Sequence, residues 1–204
     1  MTTAETEAAG VADGRSARSA KTREAIADAL LDLLTEGNLQ PTAREIAGRA
    51  NVSLRSVYVH FDDLEDLYCV VANRQFTRVA PMLDPVLTDG PLLDRVEALM
   101  RRRIRLYNHF GAVGRATERQ APFSPTLGRI VREAHERSRR ELERVFAKEL
   151  AAMDDSARAS LLAVIDVLAG PRAWETMRET HSLGVDEAER ALVDTIRHEI
   201  EARA

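Results

Sequence analysis

The chain has 204 residues with 29 Lys and Arg against 33 Asp and Glu, for a formal net charge of -4, and it is 45% hydrophobic and 30% charged. That composition suits a soluble globular protein long enough to bury its own core, and the acidic balance excludes a general nucleic-acid coat without excluding a small local basic footprint. Ten glycines, seven prolines and 4% aromatics favour helix throughout over a turn-rich sheet. The lone Cys69 excludes an intrachain disulfide framework, and no apolar run approaches the roughly 20 residues that span a bilayer. The N-terminus lacks the apolar middle of a signal peptide, which places the protein in a reducing cytoplasm and away from the membrane. The expected fold class is all-α.

Residues 1–18 are rich in Ala, Thr, Ser, Gly and Glu without a 3.6-residue period, and read as a disordered arm that turns basic at its end with Arg15, Arg18, Lys21 and Arg23. In "TREAIADALLDLLTEGN", Ile26, Leu30, Leu33 and Leu34 share one helical stripe that ends at Gly37, the usual residue for a left-handed C-cap.

The next stretch, "QPTAREIAGRANVSLRSVYVHFDD", predicts two short helices. Thr42 and Glu45 have the spacing of a capping box, with Ile46, Ala47 and Ala50 as a narrow apolar face. Asn51 then stands where a tight turn needs a residue tolerant of positive φ, Val52 serves as a core plug and Ser53 is a favourable N-cap. In "LRSVYVHF", Val57 and Phe61 face inward, which leaves Arg55, Ser56, Tyr58, Val59 and His60 pointing wholly or partly outward. An exposed Tyr, Val and His are poor solvent surface, yet they suit a groove lined by phosphates and thymine methyls. Taken singly, each of Arg44, Arg49 and Arg55 reads more readily as a solvated surface charge.

Helix, tight turn and a second helix with a readable outer face make a helix-turn-helix. The pattern Thr42, Ile46-Ala47, Ala50, Val52-Ser53, Val57-Tyr58, His60-Phe61 and Leu67, behind an apolar first helix, resembles the tetracycline-repressor (TetR) family of bacterial transcription regulators over about residues 22–70. The resemblance implies a DNA-contacting role for Thr42, Arg44, Ser53, Leu54, Arg55, Ser56, Tyr58, Val59 and His60. Thr42 would clamp a phosphate, Tyr58 and His60 would hydrogen-bond phosphates, and the others would probe bases or the adjacent backbone. It divides the chain into the arm (1–18), a three-helix helix-turn-helix domain (19–66) and a helical effector-binding and dimerisation domain (67–204), about nine helices in all.

Two departures stand out. Asn51 replaces the glycine common at the turn, and Leu64, amid "DDLEDL", replaces a lysine that often donates to a phosphate. Asp62 and Asp63 suit a helix N-terminus electrostatically but would repel DNA, so the basic residues from Arg15 to Arg23 are expected to compensate at a phosphate or the minor groove.

Beyond Phe61, Leu64, Leu67, Tyr68, Val71 and Phe76 stripe a helix running to Pro81, and Pro85 to Pro91 is a break. A helix from 92 to about 110 follows, striped by Leu92, Val96, Leu99, Met100, Ile104, Tyr107 and Phe110. "GAVGRATERQAPFSP" reads as a short helix flanked by loops, and helices over about 126–152, 156–181 and 186–202 complete the chain. The segment 161–168 is apolar around most of its circumference, so it is buried on more than one side. In the resembled family the last two helices pair with those of a second subunit. This gives Leu161, Leu162, Ile165, Leu168, Leu192 and Ile196 as a homodimer interface, the alternative being an intramolecular core.

Arg103 is the one charged residue on the stripe of Leu99, Met100 and Tyr107. It either faces a pocket for an acidic ligand or pairs with a neighbouring carboxylate. Met100, Arg103, Tyr107, Phe110, His135 and Trp174 are candidate pocket lining, as are His109, Phe123 and Met177, with plain packing as the other reading of each. No catalytic constellation is present: no GxSxG, no phosphate-cradling glycine loop and no HExxH. No cofactor and no metal site are expected, Asp194 and His198 being two possible ligands on a terminal helix. The function expected from the resemblance is a dimeric repressor released from a palindromic double-stranded operator by a small-molecule effector. Control by a protein partner or by oxidation of Cys69 is the alternative.

Overall fold

The computed structural model describes residues 3–83 and 85–203. Among them are ten α-helices and no strand: α1 (Thr3–Thr35), α2 (Ala43–Arg49), α3 (Leu54–His60), α4 (Leu64–Val79), α5 (Leu92–Gln120), α6 (Pro125–Val145), α7 (Ala147–Leu150), α8 (Asp155–Leu168), α9 (Pro171–Glu175) and α10 (Val185–Glu201). The expected all-α class is therefore observed. Two compact units divide the chain. The first comprises residues 1–76 and 112–128, the second residues 77–111 and 129–204.

In the first unit α1 packs on α2 and α3, and α2 packs on α3. Ile26, Leu30, Leu34, Ile46, Val57, Phe61, Leu67 and Tyr68 are all but fully buried there; each such side chain contributes about 1.5–3 kcal/mol of transfer free energy. The first helix stops where predicted: Gly37 adopts φ 95°, and the amides of Gly37 and Asn38 turn back to the carbonyls of Leu34 and Leu33. Its start differs from expectation. Residues 3–18, read as a disordered arm, continue α1 as helix, because Ala, Glu and Arg are good helix formers that need no core to extend a helix already nucleated. Met1 and Thr2 lie outside the described residues. Phe76, placed by periodicity on the buried stripe of α4, is 48% exposed.

The second unit has a core built from α5 to α10: Val96, Leu99, Met100 and Ile104 meet Leu142, Val145, Phe146, Leu161, Ile165, Trp174, Leu192 and Ile196. Three helix boundaries differ from the sequence reading. α5 runs through Gly111 and Gly114 to Gln120, where a loop and short helix were expected. Each interior glycine costs about 1 kcal/mol relative to alanine, but Val113, Ala116 and Thr117 are buried, and the Thr117 hydroxyl donates to the Val113 carbonyl at 2.7 Å. The expected helix over 126–152 breaks at Phe146, whose φ of -108° and ψ of 21° leave helical space. The expected helix over 156–181 ends at Leu168, and α9 restarts behind N-terminal Pro171, passing into a π-helical turn at Thr176–Thr180. Pro171 lacks the N–H that a continuous helix requires. At Gly170 a Cβ would stand 2.9 Å from the Asp166 carbonyl oxygen, so the chain can turn this tightly only without a side chain.

Candidate functional site

The geometry of the α2–turn–α3 segment follows from local chemistry. Thr42 and Glu45 form the capping box: the Glu45 amide donates to Thr42 Oγ1 at 3.3 Å, and the Thr42 amide and hydroxyl each donate to Glu45 Oε2 at 2.7 Å. The Thr42 amide and then its hydroxyl, through these bonds, hold the Glu45 carboxyl below its ordinary value. At the far end of α2, Asn51 takes φ 53°, while the Val52 amide returns to the Ala47 carbonyl at 3.0 Å and the Asn51 amide to that of Gly48 at 3.2 Å. Asparagine is, after glycine, the residue that best tolerates this left-handed conformation. Ser53 then caps α3, its Oγ accepting from the Ser56 amide at 3.1 Å.

Two side chains anchor α3 from within. Val57 is 1% and Phe61 2% exposed. The opposite face is open: Leu54 is 40%, Tyr58 54% and Val59 69% exposed, Arg55 and Ser53 are exposed, and Ser56 and His60 are half-buried. Thr42 and Arg44, before and on α2, are exposed as well. Chemically this face offers a phenol, an imidazole, hydroxyls and guanidinium groups as donors, interleaved with Leu and Val. Among the described residues, Arg44, Arg55 and the Tyr58 hydroxyl have no hydrogen-bonding or ionic partner.

Other basic residues near the segment are committed elsewhere. Arg49 pairs with Glu36 through two bonds of 2.8 and 2.6 Å, and this hydrogen-bonded guanidinium holds the Glu36 carboxyl low. Arg23, counted from sequence with the basic end of the arm, donates to the backbone carbonyl of His60 and lies over the Phe61 ring. The acidic end of the segment is a cap: Asp63 Oδ1 accepts from the Asp66 amide at 2.8 Å, at the start of α4. Leu64 is half-buried there. Further along α4, Glu65 takes hydrogen bonds from Thr126 and then Ser124, which lower its pKa. Cys69 is half-buried on the same helix.

In the second unit, the candidate pocket residues differ in exposure. Met100 and Trp174 are core, Tyr107 and Phe110 are half-buried, and His135 is exposed on α6. In the first unit, Phe123 is 85% exposed. Arg103 follows the carboxylate reading: Nε donates to Glu141 at 3.3 Å, Nη1 to the Ala169 carbonyl at 3.1 Å, and Nη2 to the Ser138 carbonyl and hydroxyl at 3.2 and 2.9 Å. The Tyr107 hydroxyl donates to the same Ala169 carbonyl, and burial above all pushes its pKa up to about 12. Nor is Arg103 the one charged residue on the buried stripe. Arg95 is 2% exposed and donates to the Gly90 and Val145 carbonyls and to Glu149. Its position three residues from Leu92 and four from Leu99 was the signal in the sequence. A cleft of about 190 Å³ beside α5 and α10 is lined by Glu97, Arg101, Asp186, Glu189, Arg190 and Val193, none of them among the candidates.

The expected interface residues are largely covered within the single chain. Leu161, Leu162, Ile165, Leu192 and Ile196 are 0–3% exposed within the single chain and Leu168 is half-buried, so this set forms intramolecular core. The outward side of α8 instead carries Ser160, Ala163 and Val167, the last 70% exposed. A helix apolar around most of its circumference has two apolar sides, and sequence periodicity does not say which one meets its own chain. Among the described residues no group of three or more metal-ligating side chains is found; Asp194 lies 3.8 Å from Arg197. No described helix is long and apolar enough to cross a membrane.

No family model and no curated protein matches the sequence. Among solved structures, the chain is similar to a transcriptional regulator from Rhodococcus sp. Rha1, with 21% identity and a TM-score of 0.67, over 88% of this chain and 96% of that one. The likeness is one of fold, and it extends over both units.

Proposed function

We propose that the protein is a sequence-specific, DNA-binding transcriptional regulator of the TetR type, with α3 as the helix that enters the major groove. One observation carries this reading: α3 is anchored by Val57 and Phe61 and holds Tyr58 and Val59, 54% and 69% exposed, on its outer face. Apolar surface and unpartnered donors on a short, well-capped helix suit base edges and phosphates. The fold shared with the Rhodococcus regulator supports the same reading. The roles assigned to Arg44, Arg55, Ser56, Tyr58, Val59 and His60 are part of this proposal. Thr42 would act chiefly through the N-terminus of α2, since its hydroxyl already serves Glu45.

A homodimer completes the proposal, because two recognition helices about 34 Å apart read a palindrome. Its contact would include the outward face of α8 around Ala163 and Val167. Repression relieved by a small-molecule effector in the second unit, in the cytoplasm, is the regulatory part. A second reading, control by a protein partner, is favoured by one observation: Arg103 and the residues around it are already engaged with one another.

Selection of duplexes from a random-sequence pool by the purified protein tests the central claim. The expected result is enrichment of a palindrome whose half-sites lie about one helical turn apart. Recovery of no motif would remove the DNA reading, and recovery of a single half-site would remove the dimer. With the selected duplex in hand, a panel of small molecules that stabilise the protein and weaken DNA binding distinguishes effector control from partner control.

A further inference from the structure

We infer that Arg23 is a positioning residue for α3: it sets the pose of the recognition helix through the His60 carbonyl and does not itself bind phosphate. This rests on α3 being the DNA-reading helix.

Arg23 lies on α1, in the basic stretch whose other members include the exposed Arg18 and Lys21. Its side chain stays 42% exposed, yet its guanidinium touches two other helices and the residue between them. Nη1 donates to the backbone carbonyl of His60, the last residue of α3. Cζ stands 4.2 Å from the centroid of Phe61, the C-cap of α3 and one of its two anchors. Nη2 lies 3.8 Å from Asp66 Oδ2 in the first turn of α4. A seven-residue helix is far too short to hold itself in water, and its last carbonyls have no partner inside the helix. A cation at that end satisfies one of them and opposes the negative end of the helix dipole. Because the planar fork serves a carbonyl, a ring face and a carboxylate at once, lysine is no substitute for it. Tyr58 and Val59 stand two residues and one residue before the His60 carbonyl, so a rotation of α3 about its axis would carry both away from their register.

The prediction is read with Arg23→Gln and Arg23→Lys in the full chain, well below the melting temperature, against the duplex selected by the wild-type protein and a scrambled duplex of equal length. Both variants should lose about tenfold in affinity for the selected duplex, the scale of one lost charge-assisted hydrogen bond. Binding to the scrambled duplex, and the slope of log K against log salt, should stay at wild-type values. In the free variants the amides of α3 should exchange with solvent faster than in the wild type. A phosphate ligand would behave otherwise: Arg23→Gln would weaken both duplexes and lower the slope by about 0.9 per subunit, while Arg23→Lys would bind like the wild type. That pattern overturns the inference, as does an unchanged ratio of selected to scrambled affinity. Failure of the wild type to select any duplex would sink the DNA reading itself and is seen before a variant is made. The exchange measurement, made without DNA, still reports whether Arg23 holds α3.

Discussion

The outer face of α3 and the buried face of α5 break the same rule in opposite directions. On α3, Tyr58 and Val59 stand in solvent; on α5, Arg95 and Arg103 are 2% and 4% exposed. Every guanidinium nitrogen of the two arginines has a partner, Glu149 with the Gly90 and Val145 carbonyls for one, and Glu141, Ser138 and Ala169 for the other. The α3 residues come with none from the rest of the chain. A buried charge whose donors are all used is structure, and an apolar or donor group left outside on a rigid helix is surface kept for something else.

Breaking the α5 side should have the largest effect. Arg103→Met removes one of two donors to Glu141 and to the Ala169 carbonyl, leaving Arg102 and Tyr107, and removes both bonds to Ser138, a loss of about 1.5–3 kcal/mol and, at this chain length, of roughly 3–12 °C in melting temperature. Calorimetry of the variant checks this. A loss below about 1 kcal/mol would mean the network adds specificity without stability, as some buried ion pairs do. Breaking the α3 side should leave the fold alone. Arg55→Ala is expected to change stability by no more than about 0.5 kcal/mol and to weaken the selected duplex by about 1–3 kcal/mol if it pairs with a guanine. Tyr58→Phe should weaken selected and scrambled duplexes alike, since a phosphate bond carries no sequence. Titrations of both duplexes separate the two.

A smaller effect sits at the turn that joins α2 and α3. Asn51, at φ 53°, should accept glycine nearly neutrally, whereas Asn51→Val should cost about 1–2 kcal/mol in unfolding free energy. Equal stability of the two variants would mean the left-handed turn relaxes when strained.

The same contrast explains what could be read from the sequence. The capping box, Asn51, the Ser53 cap and the inward pair Val57 and Phe61 are all local: spacing within one or two turns decides them, and the structure has them where spacing puts them. Asp63, an apparent stop to the basic cluster, is the cap of α4 for the same local reason. Apart from the Gly90 carbonyl, five residues from Arg95, the partners of Arg23, Arg95 and Arg103 lie 35 to 66 residues away in the chain, and no periodicity encodes a partner at that distance. The α8 set raises a different question. Its apolar residues were identified, but which side meets its own chain depends on α10 and α5, which the pattern of α8 alone does not contain.

Two carboxylates of the second unit turn the contrast into a pH dependence of opposite signs. Glu149 is pushed up by burial, but hydrogen bonds from Arg95 and its own backbone amide more than offset this, so its pKa is lowered from 4.5. The folded chain therefore holds that proton less tightly than the unfolded one. The stabilisation is complete above pH 4.5 and is lost as pH falls through the lowered folded value. Glu189, in the cleft beside α5 and α10, is raised, chiefly by burial, with the nearby Arg101 acting against it. Its charged form is disfavoured in the fold, so it subtracts stability at neutral pH, and the deficit disappears as pH falls below 4.5. Glu189→Gln should consequently stabilise the protein at pH 7 by about 0.5 kcal/mol or less, the range of surface substitutions, with the gain shrinking in acid. Glu149→Gln should destabilise it at pH 7, with the loss shrinking in acid. Melting temperatures of the two variants against wild type from pH 7 to pH 4 give the comparison directly. If both variants shift the same way at pH 7, the cleft is as wet as open surface, and Glu189 belongs with the solvent-facing groups rather than with the buried ones.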